Sequence, residues 1–216
     1  MKAIVIGATG ATGKELVKHL LETDWITEVT ALVARKKLKE HIKLRQELVD
    51  FDHLDKYEHL IKGDIAFSCM GTTLKRAGSK EAQWKVDYDY QYEFAKWAKE
   101  NGVPVFVLLS AMNANSSAKV FYAQMKGQLE EKIQDLEFDR LNIIRPSLLI
   151  RPHSDRTMEK IGVSLFRGLN ALGLAQQYTP IKVEKVARAM VESVNRYTQT
   201  VNKVGVQDIL QITEGL

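Results

Sequence analysis

The stretch Met1-Lys2-Ala3-Ile4-Val5-Ile6-Gly7-Ala8-Thr9-Gly10-Ala11-Thr12-Gly13 decides how the rest of the chain reads. Ala3 to Ile6 form an unbroken apolar run of the kind found in a buried strand. Three glycines follow at intervals of three. Leu16, Val17, Leu20 and Leu21 then recur at helical spacing. In this order, a glycine turn lets the backbone approach a phosphate while a helix N-terminus directs its free N–H groups at it. A P-loop ending in Gly13-Lys14 fails twice. Ala8 stands where its first glycine belongs, and Glu15 replaces the Ser or Thr that holds Mg²⁺. The remaining alternative is a tight turn with no ligand.

Beyond the turn, strand and helix patterns alternate. Strands are expected at 2–6, 28–34, 46–49, 64–70, 104–110 and 140–145. Helices are expected near 11–22, 52–61, 79–100, 116–136, 157–172 and 182–197. Such alternation implies an α/β fold, a doubly wound parallel sheet of order 3-2-1-4-5-6 with its ligand at the switch point. The 216 residues suit one dinucleotide-binding domain. The alternation breaks after Pro146, and residues 147–180 are read as a small C-terminal substrate cap.

Composition narrows the function. The net charge is +4 and the basic residues are scattered among 27 acids, so no nucleic-acid partner is expected. A single cysteine, Cys69, excludes an intrachain disulfide and reads as a small buried hydrophobe. His19, His41, His53 and His59 lack metal-ligand spacing. No signal peptide and no membrane span are evident, and a cytoplasmic protein is expected. The aromatic residues Trp84, Tyr88, Tyr90, Tyr92, Phe94 and Trp97 crowd one helix and read as packing or a homodimer face. His153 reads as an exposed residue at the substrate lip.

The second strand runs into Arg35-Lys36-Lys37, and Arg35 lies 22 residues beyond Gly13. An NAD site places an acid near here for the ribose 2′-OH. Three cations with no acid favour a 2′-phosphate, which Arg35 can grip with a bidentate fork. NADP(H) is therefore the expected coenzyme, with Arg35 and Lys36 as its phosphate ligands. A solvated basic loop is the alternative, and which of the three cations faces the phosphate stays open. Asp50 and Phe51 close strand 3, where the adenine lies in such folds. Met70, Gly71 and Thr72 close strand 4.

Ser110 ends strand 5, and the next helix carries Tyr122 and Lys126 at i and i+4, on one face. Phe121, Met125, Leu129 and Ile133 form the adjoining apolar stripe, which puts Tyr122 and Lys126 at its border, facing a cleft. Adding hydride to a carbonyl creates an alkoxide that needs a proton. A phenol with a pKa of about 10 donates poorly near neutrality unless a nearby ammonium favours phenolate. Lys126 supplies that charge, and Ser110 can hold the substrate oxygen.

The glycine turn, Ser110, Tyr122-x-x-x-Lys126 and Arg145-Pro146-Ser147 resemble the short-chain dehydrogenase/reductase superfamily in its atypical, NAD(P)-binding branch. Val49-Asp50-Phe51, Met70-Gly71-Thr72-Thr73 and Val86-Asp87-Tyr88-Asp89-Tyr90 resemble its Tat-interacting oxidoreductase-like group. The resemblance covers nearly the whole chain. It implies catalytic Ser110, Tyr122 and Lys126, and a coenzyme site drawn from Gly7, Thr9, Gly10, Ala11, Thr12, Gly13, Asp50, Phe51, Met70, Gly71, Thr72 and Pro146 as well as Tyr122 and Lys126. Two departures stand out: Asp87 near the place of a supporting Asn, and Ser147 where a glycine often follows Arg-Pro. The expected function is reduction of a small carbonyl substrate by a monomer or homodimer. A non-catalytic NADPH-binding regulator or scaffold is the alternative. An epimerase or dehydratase ranks third, because the chain looks short for a nucleotide-sugar lobe.

Overall fold

In a computed structural model, residues 1–36, 38–150 and 179–214 are described. The strands are β1 (Lys2–Ile6), β2 (Glu28–Val33), β3 (Leu44–Leu48), β4 (Ile65–Ser68), β5 (Val105–Leu109), β6 (Arg140–Ile144), β7 (Leu149–Ile150), β8 (Ile181–Lys182) and β9 (Val201–Val204). The helices are α1 (Ala11–Glu22), α2 (Leu74–Ala77), α3 (Lys80–Trp84), α4 (Tyr90–Glu100), α5 (Phe121–Gln134), α6 (Val183–Arg196) and α7 (Val206–Ile212).

Seven strands form a parallel sheet of order β3-β2-β1-β4-β5-β6-β9. β1 pairs with β2 on one side (Ile6 opposite Leu32) and with β4 on the other (Ile6 opposite Ser68). Chain order reverses between β1 and β4, which leaves a crevice at their carboxyl ends. Strand residues alternate between two cores. Ala3 and Val5 pack with Leu16, Leu20 and Met190 of α1 and α6. Ile4 and Ile6 pack with Phe94, Ala98, Leu129 and Ile133 of α4 and α5. A sheet covered on both faces explains why β1, β4 and β5 read as continuous apolar runs.

The structure departs from the sequence reading in several places. β3 begins at Leu44, not 46, because Val29 already pairs with Leu44. Residues 51–60 form a 3₁₀ segment kinked at His53, not a regular helix. The expected helix 79–100 is α3 and α4 joined by a π turn, Lys85–Asp89, which rotates Asp87 to complete burial. The helix expected from 116 starts at Phe121, because residues 115–116 dock against it instead. β9 extends the sheet beyond the expected six strands, and α7 follows it. The crowded aromatics therefore lie on two helices and a turn, and of them only Phe94 is fully buried. The helix expected at 157–172, His153 and most of the cap lie outside the described residues. The two flanks of that segment meet: β7 pairs with β8, and Ser147 Oγ donates to the Thr179 carbonyl.

The 115–116 loop rests on a glycine. A Cβ at Gly127 would lie 2.1 Å from Ser116 N and 2.2 Å from the Asn115 carbonyl carbon. Backbone on both sides cannot yield cheaply. Gly127→Ala is expected to lower stability by about 1–3 kcal/mol in urea denaturation; unchanged stability would show that the loop moves freely.

Candidate active site

The glycine turn is built by exclusion of side chains. Gly7 has φ +76°, and a Cβ there would lie 2.5 Å from both the Cys69 carbonyl carbon and Met70 N. A Cβ on Gly13 would lie 2.1 Å from the Gly7 oxygen. Gly10 N donates to that same oxygen at 2.9 Å. Gly10 is the N-cap of α1 and brings no side-chain acceptor, and the first turn holds no acid. Its N–H groups and the positive end of the helix dipole fit a diphosphate.

Two hollows flank the turn and share Met70. The first is lined by Gly7, Thr9, Val33, Asp50, Phe51 and Tyr90, among others. Here Asp50 Oδ1 accepts from Asp52 N at 3.0 Å, and the Phe51 and Tyr90 rings lie 5.7 Å apart. The second brings Gly10, Ala11, Thr12, Gly71 and Thr72 together with Ser110, Tyr122 and Lys126. The three residues expected to be catalytic thus share one cleft with the helix N-terminus. Arg35 and Lys36 are exposed at the end of β2 and line neither hollow, and Lys37 is outside the described residues. Pro146 is buried beside the cleft's supporting strands, and its carbonyl accepts from Met112 N at 3.0 Å.

Tyr122 is 39% exposed, in keeping with a border position, but Lys126 is 2% exposed. It lies under the cleft floor, where Nζ donates to the Leu109 carbonyl at 3.5 Å and stands 4.0 Å from Asp87 Oδ1. Stripe reasoning missed this because the compensating carboxylate comes from another element. Burial holds the Lys126 pKa below the usual lysine range, against the pull of Asp87 and Glu130. Asp87 is wholly buried, and its Oδ2 accepts from Thr72 N at 2.8 Å. Burial raises its carboxyl pKa, while Lys126 and the Thr72 N–H oppose the rise. Asp87 is therefore the counter-charge of Lys126.

Other residues at the site were not singled out by sequence. Arg76, Leu109 and Leu149 line the cleft. Glu130 is 2% exposed and bonds to both Ser110 and Arg145. Its position at i+4 from Lys126 was the available signal. Cys69 fulfils its bland reading: Sγ donates to the Ile6 carbonyl at 3.0 Å, and burial pushes the thiol up to about 12. No group of three or more His, Cys, Asp or Glu among the described residues is arranged to hold a metal. None of the described helices is long and apolar enough to cross a membrane.

With this sheet order and this turn, the class is a nucleotide-binding Rossmann fold. The chain belongs to the NAD(P)H-binding family, whose model matches residues 7–196. It is 40% identical over 151 residues to Protein HTATIP2 of Rattus norvegicus, a match spanning 68% of this chain and 62% of that protein, less than two thirds of its length. It is 36% identical over 200 residues to Protein FMP52, mitochondrial, of Debaryomyces hansenii, covering 88% of this chain and 86% of the other. Among solved structures it superposes on the Bordetella bronchiseptica enzyme WbmH in complex with NAD+ with TM-score 0.72. That likeness, at 16% identity over 94% of this chain and 75% of the other, concerns the fold alone.

Two outcomes follow from the buried groups. Because Asp87 is held above its ordinary 3.8, the folded chain retains a proton that the unfolded chain releases as pH rises. Its stabilising contribution is present below 3.8 and lost as pH rises through the folded pKa. Urea denaturation should show the wild type's advantage over Asp87→Asn shrinking as pH rises from below 3.8 through the raised folded pKa; a pH-independent difference would contradict this. Cys69, with its thiol near 12, is thiolate at pH 8 to only about one part in ten thousand. Iodoacetamide should modify it no faster than the protein unfolds.

Proposed function

We propose that the chain is an NADPH-dependent oxidoreductase that reduces a small carbonyl compound. The observation that carries this reading is the shared cleft: Ser110, Tyr122 and Lys126 stand beside the N-terminus of α1. Gly7, Gly10 and Gly13 with Thr9, Ala11 and Thr12 would seat the diphosphate. Asp50 and Phe51 would border the adenine, and Met70, Gly71 and Thr72 the ribose. Arg35 and Lys36 would hold the 2′-phosphate, free to swing onto it because both are exposed. Pro146 would bound the nicotinamide end.

NADPH, when bound, would supply the hydride and become NADP⁺. Tyr122 gives its phenolic proton to the carbonyl oxygen as the carbonyl becomes an alcohol, and regains a proton from water through the open side of the cleft. Lys126 lowers the cost of the transient phenolate. Ser110 positions the reacting oxygen as the alcohol forms, by accepting from its new hydroxyl. One domain over residues 1–216, with 147–180 as substrate cap, a cytoplasmic setting and a monomer or homodimer complete the proposal. The word mitochondrial in the FMP52 relative's name makes organelle targeting the competing expectation.

A second reading, an NADPH-binding regulator without turnover, is favoured by one observation: the Ser110 hydroxyl proton is directed at Glu130 and not at the cleft. A panel of aldehydes, ketones and quinones separates the two. Tyr122→Phe should lower kcat by about 10²–10⁴-fold. If no compound turns over faster with the wild type than with Tyr122→Phe, while NADPH still binds, the regulator reading holds. Arg35→Ala should weaken NADPH binding by about tenfold and leave NADH unaffected; an equal loss for both would remove the 2′-phosphate assignment.

A further inference from the structure

Glu130 lies one helical turn beyond Lys126, nearly solvent-free, in the middle of three polar contacts. Its Oε1 accepts the Ser110 hydroxyl and the Arg145 Nε–H at 3.0 Å, and its Oε2 accepts from Arg145 Nη2. Arg145 is itself anchored, since its backbone N donates to the Val204 carbonyl at 2.8 Å. Ser110 is anchored likewise, with its N donating to the Ile144 carbonyl at 2.8 Å. Backbone ladders thus fix both partners, and Glu130 spans them.

The direction of the Ser110 bond follows from donor counting. A carboxylate in a guanidinium fork offers acceptors only, so the proton between Ser110 and Glu130 belongs to the serine. A serine hydroxyl has one proton. Once Glu130 holds it, only lone pairs remain for the cleft. An apolar pair at 130 and 145 would fill the same space without the cost of burying the Glu130 charge, so stability gives little reason for the arrangement.

We infer that Glu130 is a positioning residue that makes Ser110 a hydrogen-bond acceptor toward the cleft. This rests on the reductase reading and sharpens it. Of Ser110, Tyr122 and Lys126, Tyr122 is then the one that protonates the reacting oxygen. Ser110 accepts from a hydroxyl, that of Tyr122 before transfer or of the new alcohol after it. The charged groups around the pair are Lys126 and Glu130 on α5, Asp87 on the π turn, Arg76 on α2 and Arg145 at the end of β6.

Ionisation of Tyr122 in the coenzyme-free protein tests this, read as the phenolate absorbance lost in matched Tyr122→Phe proteins. Glu130→Gln should free the Ser110 proton to stabilise phenolate and raise the Tyr122 ionisation constant by about tenfold. In a Ser110→Ala background the same substitution should give a clearly smaller rise, the part due to lost charge alone. Equal shifts in the two backgrounds, or none in either, would overturn the inference. Should Glu130→Gln fail to fold, the paired Glu130→Met, Arg145→Met variant removes both charges and is compared in the same two backgrounds. The titration needs neither substrate nor coenzyme, so an enzyme with no turnover would defeat the reductase reading and leave this result standing.

Discussion

The structure depends on how closely the end of β1 approaches the end of β4. At Gly7 there is no room for a single methyl group: a Cβ would meet the Cys69–Met70 peptide at 2.5 Å. That contact closes the back of the switch-point crevice. It also turns the chain so that α1 starts beside the carboxyl ends of the strands. Gly13 completes the fit by letting α1 settle onto the Gly7 carbonyl, with 2.1 Å available to a Cβ. Hydrophobic burial builds the sheet, but these backbone contacts decide where an anion can sit. Two hollows follow from the same turn, one toward β2 and β3 and one toward β5 and α5.

The second constraint is electrical. Lys126 is buried beneath the cleft, and a buried ammonium persists only with partners. Asp87 supplies the near charge at 4.0 Å, and Asp87 in turn depends on the Thr72 N–H and on the π turn that carries it inward. Four alternating charges thus run through the site: Asp87, Lys126, Glu130 and Arg145. A helix interrupted by a π turn, a glycine-lined loop and two strand ends all converge on them. Each element is ordinary alone, and the site exists because the topology brings them to one end of the sheet.

Much of this was legible in the sequence. The glycine spacing and apolar run gave the β1 turn, and the alternation of patterns gave the order of the first six strands, because parallel sheets write burial directly into composition. Ser110, Tyr122 and Lys126 were legible as a group because strand end and helical i, i+4 spacing fix them locally. The depth of Lys126 was not, since it depends on Asp87, nearly forty residues away in sequence. Nor was the break in helix 79–100: Lys80 to Glu100 has no Pro or Gly to mark it, and the π turn is stabilised by the tertiary demand for Asp87. Glu130 was not singled out, because beyond its spacing from Lys126 nothing local in the sequence separates it from the other acids of its helix. Only the folded pairing with Arg145 and Ser110 gives it meaning. Arg76, on a helix of one turn, had no periodicity to reveal it.

The most direct test of the account is the crystal structure of the chain with NADPH. The account predicts the diphosphate against the backbone N–H groups at the start of α1, the adenine beside Asp50 and Phe51, and the nicotinamide ring facing Tyr122. A diphosphate bound anywhere else on the molecule would contradict it.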